Sequence, residues 1–256
     1  MALIEYTLDG PIDRVAQAIE RLRSFEPPEG YWLAHSGGKD SCTIYRLAEM
    51  AGVRFDAHYQ VTTVDPPELL RFIRAHYPTV AWERPDMTMW QLIVKEGGPP
   101  SRLMRYCCRH LKERGGDGRL VLTGVRWAES AKRKTRAMAE ACYTGRKHYL
   151  HPIIDWSNDD VWEFIHREGL PYCSLYDEGF KRLGCVMCPM GNTRSMQREA
   201  ARWPTIYRAY VRAFDKMIAA CAAKGKPRTW ATGEECMKWW IGANEKIDDD
   251  QMVLFG

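Results

Sequence analysis

The fold is decided by the stretch Tyr31-Trp32-Leu33-Ala34-His35-Ser36-Gly37-Gly38-Lys39-Asp40-Ser41. Its first residues form a short apolar run, which predicts a buried strand. Beyond Ser41 the sequence continues with helical character up to Gly52. The two glycines between these segments permit a tight turn of the backbone. The stretch therefore predicts a strand, a glycine loop and a helix in succession.

The glycine loop has the chemistry of a phosphate-binding site. A loop between a strand and a helix places backbone N–H groups and the positive helix end where a phosphate chain can bind. Gly37 and Gly38 let the backbone approach a ligand closely, Ser36 and Ser41 offer hydroxyl groups, and Lys39 offers a positive charge. An ordinary glycine-rich turn with a helix-capping Ser or Asp is the alternative. Six matching residues in this context favour nucleotide binding.

Strands and helices alternate on both sides of the loop. The pattern predicts further strands at residues 53–63, 79–82 and 120–124. It predicts a first helix from residue 12, behind a Gly-Pro start, to near residues 25–28. It also predicts helices at residues 67–76 and 159–166, and a mostly helical region at 195–224 with a break near Pro204. Such alternation implies a parallel sheet covered on both faces. We therefore expect an α/β fold with a doubly wound parallel sheet and a C-terminal helical extension.

Four of the nine cysteines occur in two pairs, Cys107-Cys108 and Cys185-Val186-Met187-Cys188, which are 76 residues apart. Four thiolates suit either zinc or an iron–sulfur cluster. Adjacent cysteines are unusual in zinc sites, where two to four residues normally separate the paired ligands. Four of the five remaining cysteines are expected to be small buried hydrophobic residues: Cys42, Cys142, Cys173 and Cys221.

The glycine loop resembles the PP-loop signature of ATP pyrophosphatases, which cleave ATP to AMP and pyrophosphate while adenylating a substrate. It lacks the spacing of a Walker A loop. The resemblance implies that residues 36–41, Asp40 included, bind the nucleotide. It also implies that the end of the second strand lies near the base, with Thr63 and Asp65 among the contacts. Asp65 could equally cap the helix that follows Pro66 and Pro67.

The segment from Thr123 to Ser130, with Arg133, resembles the Gly-x-Arg-x-x-Glu-Ser segment of the phosphoadenylyl-sulfate (PAPS) reductase family. In this reading Gly124, Arg126 and Arg133 belong to the nucleotide site, and the two arginines can pair bidentately with phosphate or sulfate oxygens. A solvated helix face is the alternative for both arginines. Further similar segments follow, and the resemblance covers about residues 30–190.

The cysteine pairs resemble the cluster site of assimilatory sulfate-nucleotide reductases and of the sulfurtransferase subunit of DNA phosphorothioation. The resemblance implies a 4Fe–4S cluster on Cys107, Cys108, Cys185 and Cys188. Two regions are then expected, a nucleotide-binding domain at residues 1–182 and a cluster-ligating, helical region at residues 183–256 packed on it.

Two departures separate the chain from the reductases of that family. The family's reductases keep a degenerate phosphate loop, whereas the loop here is intact. They also carry a nucleophilic cysteine in a Glu-Cys-Gly-x-His tail, and the nearest match here is Glu235-Cys236-Met237-Lys238. Met237, Trp240 and Ile241 share a helical face beside Cys236. We therefore expect Cys236 to be a helix residue rather than a mobile nucleophile.

The leading functional hypothesis is an enzyme that binds ATP with Mg²⁺, adenylates an acceptor and supports sulfur transfer with a 4Fe–4S cluster. Lys39 and Arg126 are its candidate catalytic residues. The acceptor could be a nucleic acid, and the sulfur donor a protein. The second hypothesis is a reductase of PAPS or adenylyl sulfate that uses a thioredoxin-like reductant. The third is a non-catalytic subunit that binds nucleotide and cluster. Each of the three hypotheses is compatible with an oligomeric protein.

The composition of the chain does little to distinguish these three functional hypotheses. A formal charge of +4 does not by itself indicate nucleic-acid binding. No stretch has the length of a membrane span, and the first residues do not resemble a signal sequence. We therefore expect a cytoplasmic protein with no membrane partner. Nine cysteines in a chain of this length suggest reduced thiols or metal ligands rather than disulfides.

Overall fold

The computed structural model of the protein describes residues 3–7, 10–141 and 145–242. The chain divides into two compact units. Unit 1 consists of Met1–Val61, Pro67–Arg84 and Arg114–Gly184. Unit 2 consists of Thr62–Pro66, Pro85–Glu113 and Cys185–Gly256. Unit 2 therefore contains residues 62–66 and 85–113, which the sequence analysis assigned to the nucleotide-binding domain.

The described elements follow one another in a mixed order of strands and helices. The strands are β1 (Ile4–Thr7), β2 (Gly10–Asp13), β3 (Tyr31–Ala34), β4 (Phe55–Gln60), β5 (Ala81–Glu83), β6 (Leu120–Leu122), β7 (Ala139–Ala141) and β8 (His148–Leu150). The helices are α1 (Arg14–Ser24), α2 (Lys39–Ala51), α3 (Pro67–His76), α4 (Met89–Glu96), α5 (Tyr106–Leu111), α6 (Asn158–Arg167), α7 (Thr193–Arg202), α8 (Pro204–Ala223) and α9 (Gly233–Trp240).

Unit 1 is built on a six-stranded sheet in the order β5-β4-β3-β6-β8-β7. The first five strands are parallel to their neighbours, whereas β7 pairs antiparallel with β8 at the edge. Only six residues separate β7 from β8, too few for the crossover that a parallel pair needs. The α/β class is confirmed, and the sheet is mixed rather than wholly parallel.

Local chemistry sets where several elements begin and end. Helix α1 begins at Arg14 rather than at residue 12, because residues 10–13 pair with β1 and the Asp13 carboxylate caps the helix. The strand expected over 53–63 ends at Gln60, and Thr63 has a left-handed φ of 66° that an extended strand does not adopt. The expected break in the C-terminal helices lies at Pro204, which begins α8.

Unit 2 is mostly helical, with an aromatic core. The Tyr210 ring on α8 lies 4.9 Å from that of Trp90 on α4 and 4.8 Å from that of Trp240 on α9, centroid to centroid. The Trp240 indole donates a hydrogen bond of 2.7 Å to the Pro100 carbonyl. These contacts explain why residues 85–113 belong with the C-terminal helices. None of the helices in the described ranges combines the length and apolarity needed to cross a membrane.

Candidate functional site

The glycine loop of unit 1 lies between β3 and α2 and has little space for larger side chains. Gly37 has a left-handed φ of 71°. A Cβ atom there would lie 2.7 Å from side-chain carbons of Leu69 and Ile73 on α3. Gly38 is the N-cap of α2 and provides no side chain for capping. The loop backbone therefore follows a path that requires glycine at position 37.

The polar groups of the loop bond to one another and to one distant tyrosine. The Ser36 hydroxyl donates to the Ser41 hydroxyl (3.2 Å), and the Ser41 hydroxyl donates to the Gly38 carbonyl (2.8 Å). The backbone N–H of Lys39, at the N-terminus of α2, donates to the Tyr176 hydroxyl (2.9 Å). An incoming phosphate oxygen would replace the Tyr176 oxygen as acceptor for this N–H group.

Asp40 holds two cations beside the loop. Its carboxylate lies 3.0 Å from the Lys39 ammonium and accepts a 2.7 Å hydrogen bond from Nε of Arg126. Arg126 is buried and also donates to the Trp156 carbonyl (3.2 Å). Burial lowers the pKa of Lys39, and the Asp40 charge opposes that shift. The two candidate catalytic residues thus share one counter-ion.

Gly124 and Arg133 lie in the same part of unit 1. A Cβ atom on Gly124 would come within 2.8 Å of Asp40 Cβ, so the end of β6 can approach α2 only with glycine at this position. Arg133 forms an ion pair with Glu129. Burial lowers the pKa of Arg133, and the nearby positive charge of Arg182 lowers it further. Gly124 and Arg126 therefore adjoin the loop, and Arg133 adds charge to its surroundings.

Thr63 and Asp65 belong to unit 2, where they stabilise a turn. The Asp65 carboxylate accepts the backbone N–H of Thr62 (2.9 Å) and is nearly buried. The Thr63 hydroxyl accepts the N–H of Met89 at the start of α4 (2.9 Å). Both side chains therefore have structural partners, and base contacts for them remain a prediction.

The two cysteine pairs meet at one pocket of unit 2. Cys107 and Cys108 are on α5, and Cys185 and Cys188 are in the turns after Gly184. The Val186 N–H donates to the Val64 carbonyl (2.9 Å), which fixes the second pair. The pocket is lined by the four cysteines together with Met89, Leu111, Lys112, Pro189 and Tyr210.

The donor set of this pocket fits a soft metal or an iron–sulfur cluster, because four thiols converge in a largely apolar lining. Across residues 3–7, 10–141 and 145–242, however, no three His, Cys, Asp or Glu side chains are grouped closely enough to hold a metal ion. A hydrogen bond between the adjacent thiols lowers the pKa of Cys108 and raises the pKa of Cys107. The four expected ligands thus line one pocket, but their side chains are not arranged as in a metal-coordination site.

The other cysteines of the described residues are not among those that line this pocket. Cys42, Cys173 and Cys221 are buried, as expected, while Cys142 lies outside the described residues. Cys236 is a fully buried residue of α9, and burial raises the pKa of its thiol to about 12. A buried thiol with a raised pKa is a poor nucleophile at neutral pH.

Two neighbours of the candidate sites were not predicted as site residues. Tyr176 contacts the loop from 137 residues away, and Lys112 lies beside the cysteines. The negative charge of Cys185 raises the pKa of Lys112. Tyr176 falls in a segment already similar to the PAPS reductases, which is the signal that could have pointed to it. The only sequence signal for Lys112 is its position four residues after Cys108.

Known proteins similar to this chain include an uncharacterized protein of Methanocaldococcus jannaschii, 31% identical over 199 residues. That match covers 70% of this chain but only 41% of the archaeal protein, so the chain spans less than half of that relative's length. An adenosine 5'-phosphosulfate reductase of Staphylococcus haemolyticus is 26% identical over 200 residues, covering 72% of this chain and 75% of the reductase.

A solved structure and a family model extend the comparison. The crystal structure of PAPS reductase from Candida auris has a TM-score of 0.54 at 19% identity, covering 67% of this chain and 89% of that one. At this identity the likeness concerns the fold alone. Residues 30–191 match the model of the phosphoadenosine phosphosulfate reductase domain, which is well over half of the 256 residues. The chain therefore belongs to the phosphoadenosine phosphosulfate reductase domain family.

Proposed function

We propose that the protein binds ATP at the glycine loop and transfers its adenylyl group to an acceptor with release of pyrophosphate. The observation that carries this proposal is the intact loop with Lys39 and Arg126 held beside it by one carboxylate. Two cations at a helix N-terminus suit a triphosphate, because they neutralise charge that builds up on the leaving pyrophosphate. Mg²⁺ is expected to accompany the triphosphate and to offset its charge.

The reaction requires few groups from the protein. An acceptor oxygen attacks the α-phosphorus, the bond to the bridging oxygen of pyrophosphate breaks, and pyrophosphate leaves with both electrons of that bond. The Lys39 N–H group at the start of α2 would bind a phosphate oxygen after Tyr176 releases it. Lys39 and Arg126 would turn from Asp40 toward the phosphates. Positioning and charge stabilisation then supply most of the catalysis.

The cysteine pocket would hold the cluster through Cys107, Cys108, Cys185 and Cys188. When bound, a 4Fe–4S cluster would supply a site for holding or relaying sulfur, and its potential would depend on nearby charges such as Lys112. The acceptor, a nucleic acid among the candidates, and a protein sulfur donor belong to the same proposal.

The direct test measures pyrophosphate released from ATP by anaerobically purified protein, with candidate acceptors added in turn. We expect acceptor-dependent release that falls at least a hundredfold in Lys39→Ala, since one stabilising charge is worth about 3 kcal/mol. The same variant should bind adenosine nearly as well as the wild type while losing affinity for ATP. Lys95→Ala, which removes an exposed lysine of unit 2, is the matched control. Equal loss of adenosine and ATP binding would show that Lys39 is structural.

A second candidate function is reduction of adenylyl sulfate or PAPS with a thioredoxin-like reductant. It is favoured by relatives that are named adenosine 5'-phosphosulfate reductases. The buried thiol of Cys236 argues against it, because the reductase mechanism needs an accessible thiolate. Sulfite release from either nucleotide, with no pyrophosphate release from ATP, would put this second function first.

A further inference from the structure

Positive charge is divided unequally between the two units. By sequence, unit 1 contains 21 Lys and Arg residues and 21 Asp and Glu residues. By the same count, unit 2 contains 16 Lys and Arg residues and 12 Asp and Glu residues. The formal charge of +4 of the whole chain therefore belongs to unit 2.

A pair of tryptophans lies at the α8–α9 connection, in a stretch of unit 2 that is rich in Lys and Arg. Gly225, with a left-handed φ of 68°, turns the chain at the end of α8. Trp230 on the connection lies against Trp239 on α9, with ring centroids 4.8 Å apart and planes at 49°. Helix α9 buries Cys236, Met237 and Trp240, so that Trp239 faces solvent and is 53% exposed.

Four exposed cations lie close to the two tryptophans in sequence: Lys224, Lys226, Arg228 and Lys238. Within the described part of the chain, none of the four forms an ion pair. Three acids in the described part of this region have other partners. Asp215 accepts the Gly233 N–H, Glu235 accepts the Ala231 N–H, and Glu234 accepts the Tyr207 hydroxyl. We call Lys224, Lys226, Arg228, Trp230, Lys238 and Trp239 the basic aromatic patch.

We propose that the basic aromatic patch binds single-stranded nucleic acid. Lysine and arginine neutralise backbone phosphates, and an exposed indole provides a face on which a base stacks. A duplex buries the faces of its bases, so an exposed tryptophan favours a single strand. An acidic protein segment would use the cations but not the stacking surface. The proposal concerns unit 2 alone and does not depend on ATP chemistry at the glycine loop.

The test is a titration of a fluorescein-labelled 20-nucleotide oligothymidine with the full chain, followed by anisotropy at several salt concentrations. We expect Trp239→Ala to weaken binding about tenfold, the loss of one stacked base. Trp239→Phe, which keeps an aromatic face, should restore most of the affinity. Lys226→Ala and Arg228→Ala should each reduce the slope of log affinity against log salt by about 0.7. Lys95→Ala removes an exposed lysine outside the patch and should change the slope less.

Several results would overturn the proposal. One is absence of oligonucleotide binding at 50 mM salt, and another is unchanged affinity in Trp239→Ala. Tighter binding of a duplex of the same length would point to a duplex partner. Displacement of the oligonucleotide by an equal charge concentration of polyglutamate would point to an acidic protein. Lys39→Ala separates the two proposals, because it should abolish pyrophosphate release and leave oligonucleotide binding unchanged.

Discussion

Asp40 balances the positive charge of Lys39 and Arg126 at the proposed nucleotide site. Its carboxylate pairs with the Lys39 ammonium and with the Arg126 guanidinium, which is almost completely buried. A buried arginine without a partner would cost about 3–5 kcal/mol of stability. Asp40 therefore holds both cations in place, and an anionic ligand can take over one or both of them.

His35, directly before the loop, makes stability depend on pH. Its ring is buried against Tyr77, and burial lowers its pKa to about 3 from the ordinary 6.5. Between these values the unfolded chain binds a proton that the folded chain does not, so stability falls as pH falls below 6.5. Between pH 7.5 and 5, His35 should reduce the free energy of unfolding by about 2 kcal/mol.

Urea unfolding of the wild type and of His35→Leu at both pH values measures this contribution. The variant should lose about 2 kcal/mol less than the wild type over the interval. His166→Leu, at an exposed histidine of α6, is the control and should behave as the wild type does. If His35→Leu shows the full pH dependence of the wild type, protonation of His35 does not drive the loss.

Among the elements, α9 is the one that separates the two enzymatic hypotheses. It begins at a Thr232 cap, and its buried face carries Cys236, Met237 and Trp240. We expect Cys236→Ala to retain turnover within about threefold and to lose about 1 kcal/mol of stability from the small cavity. Activity assays on ATP and on adenylyl sulfate check this, with Cys221→Ala as a buried-cysteine control. Complete loss of sulfite release in Cys236→Ala alone would make Cys236 the nucleophile.

The elements that the sequence predicted best are those set by local chemistry. The strand before the loop and the helix from Pro67 to His76 occur where apolar periodicity and a starting proline indicated them. Helix α5 and strand β7 were not predicted. Helix α5 has six residues and two adjacent cysteines, and β7 is a three-residue edge strand without a buried apolar face. Such short elements take their form from tertiary pairing, which periodicity does not encode.

At the scale of the whole molecule, the decisive contacts are distant in sequence. Spacing predicted which cysteines pair, and the shared pocket brings the two pairs together. The resemblance pointed to the segment that contains Tyr176, but not to its contact with the Lys39 N–H, which depends on how the start of α2 and the segment after α6 meet. The partition of charge likewise becomes visible only once the two units are known.

Iron and sulfide analysis tests the shared pocket. Anaerobically purified wild type is expected to contain about four irons per chain with broad visible absorption. Cys108→Ala and Cys188→Ala should each lose most of that iron, because each removes one of four ligands. Cys42→Ala, outside the pocket, should keep it. Stoichiometric zinc without visible absorption would support a four-cysteine metal site but exclude the iron–sulfur cluster. Iron retained in Cys188→Ala would contradict the assignment of Cys188 as a ligand.

Unit 2 is assembled from three separate stretches of chain, and this has a consequence during synthesis. Cys185 follows Cys108 by 77 positions. At about 5–20 residues per second, a ribosome needs roughly 4–15 s to produce the second pair after the first. In that interval Cys107 and Cys108 have been synthesised, but Cys185 and Cys188 have not. At its start the sheet of unit 1 likewise still lacks β6, β7 and β8. The thiols of Cys107 and Cys108 must therefore stay reduced until translation has passed Cys188. The nascent chain must also avoid aggregation during this time.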